Sequence, residues 1–401
     1  MTLPIDLTSD DFLHNPAEGV ERLRAAGPIV ELEFPIVGKV WITTTQEAAG
    51  RVLKDSENFT LRKDGKVAGM RWWMPGILRG LTSNMLTNDE PDHTRLRSIV
   101  DEAFRRRAIL EMEPRILAIA EGLAAELFAE GTPADLVQRY ARIFPLSVIC
   151  ELLGLPADDR SKFMAWAENL SGVRGTLSFI RRIVWGLYRI RRYLIAHVES
   201  VRARGGEGLI AELIKVEQET SKLTRDEMVA MVFLLLLAGH ETTTRLISGA
   251  VYELLKNPKL RDWLEEDWSR ANLGVEEFLR HVSAVQFAKP RFVGKDMTLY
   301  GVQLKRGDRI MAMITAANYD PAANEQPEVL DLTRHPNRHL AFGTGIHFCL
   351  GHQLARIEAR CALKALFTRW PKLALACDPS EIRWVRQPGV RAIRRLPVVP
   401  E

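Results

Sequence analysis

Between Leu223 and Leu255 the chain reads as one long apolar helix, interrupted at its centre by Ala238-Gly239-His240-Glu241-Thr242-Thr243. Its longest apolar run, Met228 to Gly239, is 12 residues, whereas a bilayer span needs about 20. The reading is therefore a core helix that the rest of the chain encloses, and no membrane span is expected. At 401 residues and 46% apolar, the chain is long enough to bury roughly three quarters of its unfolded surface. A glycine inside a helix costs about 1 kcal/mol relative to alanine. An acid and hydroxyls next to Leu234-Leu235-Leu236-Leu237 also need a reason. Either the helix ends near Gly239, or these residues serve chemistry.

Residues 17–26 read as a short helix, and Ile29–Phe34 with Lys39–Thr44 as a β-hairpin around Pro35 and Gly38. Thr45–Leu53 reads as a helix opened by a threonine cap. From Phe59 to Leu86 glycine, proline, tryptophan and methionine replace any periodicity, a long irregular segment of the kind that carries function. Helical periodicity dominates from His93 to Leu255. A second β region begins near Arg291, where Met297–Gln303 and Arg309–Met313 flank Lys305-Arg306-Gly307-Asp308, a plausible hairpin turn. A helix over 350–370 and a short β tail complete a mainly α chain with a small β subregion. Neither a linker nor a repeat is visible, so 1–401 reads as a single domain.

Charge excludes little: 55 Lys+Arg against 51 Asp+Glu gives +4. Clusters such as Arg105–Arg107 read as solvated helix faces. Zinc-finger spacing is missing, and a nucleic-acid partner is not expected. Four cysteines without a C-x-x-C pair make neither a disulfide framework nor a structural zinc site. An N-terminus lacking a basic and apolar leader completes the expectation of a reducing, cytoplasmic home.

The most informative stretch is Phe342-Gly343-Thr344-Gly345-Ile346-His347-Phe348-Cys349-Leu350-Gly351. Its glycines free the backbone for an unusual loop, and Cys349 sits just ahead of a helix. There the dipole and unpaired N–H groups favour a thiolate, while Gly351 allows something flat to approach closely. A buried cysteine in a glycine-rich turn has the same spacing.

This stretch resembles the haem-ligand signature of the cytochrome P-450 family, F-x-x-G-x-x-x-C-x-G, at every fixed position. The resemblance implies haem b, with Cys349 as the axial thiolate whose donated electron density favours O–O cleavage; Phe342 and Gly351 belong to the same signature. Glu277-Phe278-Leu279-Arg280 is similar to the family's E-x-x-R pair, which locks the core. The arginine usual in the following meander is missing at Pro327-Glu328-Val329-Leu330, and Arg334 is a candidate substitute. Ala238-Gly239-x-Glu241-Thr242 is similar to the family's oxygen groove. There Gly239 leaves room over the iron, and Glu241 and Thr242 relay protons. Asp89-x-Pro91-x-His93-Thr94-x-x-Arg97 resembles the bacterial propionate-binding segment. Arg291 and His347 are the usual companions, and His339 is a weaker one.

The resemblance covers essentially the whole chain and implies a soluble bacterial monooxygenase. It inserts one atom of O2 into a C–H bond of an apolar small molecule. The same scaffold also runs epoxidation, desaturation or C–C coupling, and a haem-binding sensor or carrier without turnover is the reading from another class. With no G-x-G-x-x-G fingerprint, electrons are expected from a separate acidic ferredoxin or flavodoxin. Its docking contacts would come from Arg105–Arg107, Arg338, Arg356 and Arg360. Family topology puts Trp72, Trp73, Met74, Leu234, Leu235, Val285 and Phe287 near the substrate.

Overall fold

The computed structural model describes the chain apart from residues 1–4, 35–37, 64–65, 68–83, 107–108, 160–161, 164, 167–176 and 221. Trp72, Trp73 and Met74 lie outside the described residues. Two compact units form: Met1–Gly69, Ala120–Ala141 and Thr242–Glu401 make one, and Met70–Ile119 with Arg142–Glu241 make the other.

The first unit opens with helices α1 (Asp10–His14) and α2 (Pro16–Ala25), then strands β1 (Ile29–Phe34) and β2 (Gly38–Thr43). The expected hairpin is present, antiparallel with Ile29 opposite Thr43. Helix α3 (Gln46–Lys54) starts where Thr45 accepts the Ala48 N–H at 3.2 Å, a cap worth about 1 kcal/mol. Strand β3 (Phe59–Thr60) follows, then β4 (Arg62–Lys63) and β5 (Lys66–Val67), which pair with each other. The main sheet is completed by β7 (Arg291–Val293) and β10 (Arg309–Met311), in the order β1-β2-β10-β7-β3. Strands β6 (Ala134–Asp135), β11 (Leu373–Leu375) and β12 (Pro397–Pro400) form a second sheet.

One expected hairpin is corrected. Met297–Gln303 does not pair with Arg309–Met313. It folds on itself as β8 (Met297–Leu299) and β9 (Val302–Leu304), about Tyr300 and Gly301 at φ 50° and 81°, the positive pair that a tight two-residue turn requires. Lys305–Asp308 is a turn, closed by Asp308 N–H to Lys305 O at 2.9 Å. It delivers β10 to the main sheet instead, parallel to β2 and antiparallel to β7.

The second unit is helical: α4 (Asp92–Arg106), the start of α5 (Glu113–Glu126), α6 (Ile143–Leu153), α7 (Leu177–Arg204), α8 (Leu209–Thr220) and the first half of α9 (Arg225–Lys256). Gly154 caps α6 at φ +77°, and a Cβ there would stand 2.0 Å from the Glu207 carbonyl oxygen. Arg95 ties α4 to α9 through Glu227 at 2.6 Å. The rest of α9, with α10 (Pro258–Glu266), α11 (Ala271–Val282), α12 (Ile314–Asn318) and α13 (His352–Arg369), belongs to the first unit. Helix α9 runs unbroken through Gly239, so the reading that ends it there is set aside. Among the described residues it is the one helix long and apolar enough to cross a membrane, and 61% of that stretch is buried inside the protein.

Candidate functional site

The cysteine loop folds back on itself. Gly343 N–H donates to Leu340 O at 2.8 Å, Phe348 N–H to Gly345 O at 3.0 Å and Cys349 N–H to Phe342 O at 2.9 Å. These bonds hold Cys349, half-buried and outside any disulfide, three residues ahead of α13. The helix begins at Gly351 without a side-chain cap, so its N–H groups and positive end are left to favour an anion such as a thiolate. Gly345 sits at φ +77°, and a Cβ there would lie 2.4 Å from Leu53 O; no other residue fits. A Cβ on Gly351 would meet nothing within 4 Å. That open face beside the cysteine is what a large flat group requires, and with the donor chemistry of Cys349 the loop fits haem.

Arg291 is buried and donates to Val52 O at 3.1 Å and Phe59 O at 3.4 Å. Val52 precedes Leu53, so Arg291 and the cysteine loop rest on the same end of α3. His347 lies half-buried two residues before Cys349. In the other unit, His93 and Arg97 lie one turn apart on α4. Burial pushes the His93 imidazole below its ordinary pKa, against the pull of Glu90. Arg97 gives its Nε to both carboxylate oxygens of Asp101 at 3.0–3.1 Å, a partner the sequence reading did not name. His339 is committed elsewhere, to Glu276 at 3.1 Å.

Helix α9 is buried in the turns on either side of its centre, yet Leu237 is 42% exposed there. Ala238 is also exposed, and Glu241, Thr242 and Arg245 are half-open. Positions 238, 241, 242 and 245 make one helical stripe. An acid and an alcohol thus stand side by side on an open window in an otherwise enclosed helix. A Cβ on Gly239 would meet Ile149 of α6 at 3.3 Å, so helix packing gives that glycine a reason of its own. Behind the stripe, Thr243 donates to Glu358 of α13. Glu358 is buried, and burial raises its carboxyl well above the ordinary 4.5, against the Thr243 bond. Sequence reasoning missed Glu358, although a lone acid among the apolar positions of α13 was a visible signal.

Glu277 and Arg280 are fully buried and joined by two bonds of 2.7 and 2.8 Å. Arg280 also donates to the carbonyls of Asn318, Pro327 and Val329 at 2.6–3.1 Å. Arg334 does reach Glu277, with its Nε 3.1 Å from one oxygen, and Asn337 adds a bond at 2.9 Å. Next door, Arg356 grips Glu276 through two bonds of 2.5 and 2.8 Å. Its guanidinium lies 4.5 Å from the Phe342 ring centroid. Burial would raise the Glu276 pKa, but Arg356 and His339 outweigh it and hold the carboxyl at about 2. Arg356, expected as a docking contact, is half-buried and already paired with Glu276.

Of the candidate substrate residues, Leu234 and Leu235 are buried. Val285 bridges to Val390. Phe287 packs edge-on against Phe34 at 5.7 Å, joining a core cluster.

The sequence model of the cytochrome P450 family matches residues 190–371. The vitamin D(3) 25-hydroxylase of Pseudonocardia autotrophica is 40% identical over 98% of this chain and 96% of its own. The polyketide biosynthesis cytochrome P450 PksS of Bacillus subtilis is 35% identical over 97% and 96%. Among solved structures, a myxobacterial cytochrome P450, CYP267B1, in complex with myristic acid superposes with a TM-score of 0.88 at 34% identity, covering 98% of each chain. With relatives this similar over nearly their whole length, and a cysteine loop built to leave one face open, the chain belongs to the cytochrome P450 family.

Proposed function

We propose that this enzyme hydroxylates an apolar small molecule with electrons from a separate ferredoxin or flavodoxin. As a cytochrome P450 it is an O2-dependent oxidoreductase that uses haem b, a redox partner and a small-molecule substrate. In the overall reaction, R–H, O2, two electrons and two protons give R–OH and water. Bound haem supplies the oxygen chemistry, and the protein supplies ligation, orientation and protons.

In this reading Cys349 would ligate the iron, and the open face at Gly351, with Phe342 of the same loop, would leave room for the macrocycle. Arg291, His347, His93 and Arg97 would hold the two haem carboxylates. Ala238 and Gly239 would form the oxygen groove, and Glu241 and Thr242 would hold and supply protons there. Glu277 and Arg280 lock the fold behind the loop, and residues 1–401 act as one haem-thiolate domain in the cytoplasm. Arg105–Arg107, Arg338 and Arg360 are the candidate contacts for an acidic donor. The observation that carries the reading is the acid–alcohol pair on the open stripe of α9, which a haem carrier without turnover has no use for.

Product formed per electron consumed tests it. Thr242→Ala is expected to lower that ratio about 100-fold, the scale of one general-acid contribution, with haem content unchanged. An unchanged ratio sinks the proton-relay role. The complete absence of product from any apolar compound tried, with haem bound and a donor supplied, favours the carrier reading. Product analysis separates hydroxylation from epoxidation, desaturation and C–C coupling.

A further inference from the structure

Between Phe287 and Arg291 the chain carries one residue more than the strand it faces. Phe287 stands opposite Met313, and Ala288 N–H donates to Ala312 O at 2.9 Å. Arg291 stands opposite Ile310. Lys289 and Pro290 are therefore left to share Met311, which defines a β-bulge. Pro290 suits the position because it has no N–H to give the ladder. A bulge turns a side chain out of the strand's alternation, and here that side chain is Lys289.

Two properties of Lys289 go together only in a concave setting. Its side chain is exposed, yet desolvation by the surrounding chain pushes its ammonium down to about 8. No carboxylate offsets that loss: desolvation is the sole cause of the shift. Among the described residues nothing is hydrogen-bonded or ion-paired to it. Its surroundings are those of the functional site. Arg291 is two residues away, at most about 7 Å along the chain. Ala288 packs with Leu53 and Leu340, and Leu53 O is the atom against which Gly345 of the cysteine loop rests. The haem's two carboxylates already have Arg291, His347, His93 and Arg97 as candidate partners, which leaves Lys289 in surplus. A poorly hydrated cation in such a place favours an incoming anion over a neutral ligand.

We propose that Lys289 is a specificity-determining residue that binds the carboxylate of the substrate, so that the enzyme's substrate class is apolar monocarboxylic acids. This rests on the hydroxylase reading above and narrows its substrate from apolar compounds in general to those with one acidic end.

The test uses the haem-loaded full chain, first shown by its reduced carbon monoxide spectrum to carry thiolate-ligated haem. Myristate, methyl myristate and tetradecanol are then titrated at pH 7, following the Soret shift on displacement of iron-bound water and, independently, the heat of binding. Wild type is expected to bind the acid in preference to the ester and the alcohol. Lys289→Met should weaken myristate about 10- to 100-fold, the scale of a charge-assisted hydrogen bond, and leave the ester unchanged. Lys289→Arg should restore most of the preference. Equal affinity for acid and ester in wild type, failure of the acid to bind, or an equal loss for both in Lys289→Met overturns the proposal. If Lys289→Met loosens haem or shifts its reduction potential while the acid-to-ester ratio stays constant, Lys289 serves a haem carboxylate, and the proposal also fails. An initial spectrum without thiolate ligation refutes the parent reading instead.

Discussion

Replacing Arg280 by methionine keeps most of its volume and removes its charge from a site with no exposure to water. Glu277 would lose the bonds at 2.7 and 2.8 Å, and the carbonyls of Asn318 and Pro327 would lose the Arg280 donor. Removing one member of a buried ion pair costs about 3–5 kcal/mol. Arg334→Met is the informative comparison. It strips from Glu277 the contacts at 3.1 and 3.3 Å, but leaves Arg280 in place to neutralise the carboxylate. The expected loss is about 1.5–3 kcal/mol, that of hydrogen bonds to a charged group. Urea unfolding, followed by both circular dichroism and Soret absorbance, measures the two losses. Because both arginines act on one carboxylate, the double variant should depart from additivity. An Arg280→Met loss below about 1 kcal/mol, the level of an exposed pair, would refute the reasoning. So would a larger loss from Arg334→Met.

Other predictions follow from neighbouring groups. Glu358 has a raised folded pKa, so the native state binds the extra proton and wild-type stability should fall as pH rises above about 4.5, its ordinary value. Glu358→Gln removes that slope and should gain on wild type as pH rises above about 4.5; parallel stability curves would show that burial does not raise this carboxyl. Glu276 is the opposite case. Its depressed pKa gives stability that is present above 4.5 and is lost as pH falls towards about 2. Arg356→Ala should therefore cost about 1.5–3 kcal/mol at pH 7 and progressively less below pH 4.5, and a pH-independent cost contradicts the assignment. Reduction by an acidic donor should slow steeply with ionic strength, more in wild type than in Arg338→Ala. A flat response in both removes electrostatic docking.

Local chemistry explains which parts of this molecule were readable in advance. Thr45, the alternation of β1 and β2 and the periodicity of α9 and α13 each act within a few residues, and these elements stand within one or two residues of expectation. The cysteine loop was legible for the same reason, since its glycines and its helix start are contiguous. Three features were not legible, because each depends on a distant partner. Arg334 reaches Glu277 across 57 positions, on a path no spacing rule describes. Arg356 looked like a surface cation until Glu276, 80 positions away, came to meet it. The bulge at Lys289–Pro290 exists only by comparison with Arg309–Met313 opposite. The mistaken hairpin has a local cause: Tyr300 is a strand former by type, and the preference hid a turn whose positive φ falls on that residue.

The central claim is that Cys349 ligates haem iron as a thiolate. Its most direct test is the spectrum of the reduced protein after carbon monoxide addition, compared with that of Cys349→Ala. The account predicts a strongly red-shifted Soret band in wild type that is lost in the variant. An imidazole-type band, or a red-shifted band that survives in Cys349→Ala, would contradict it.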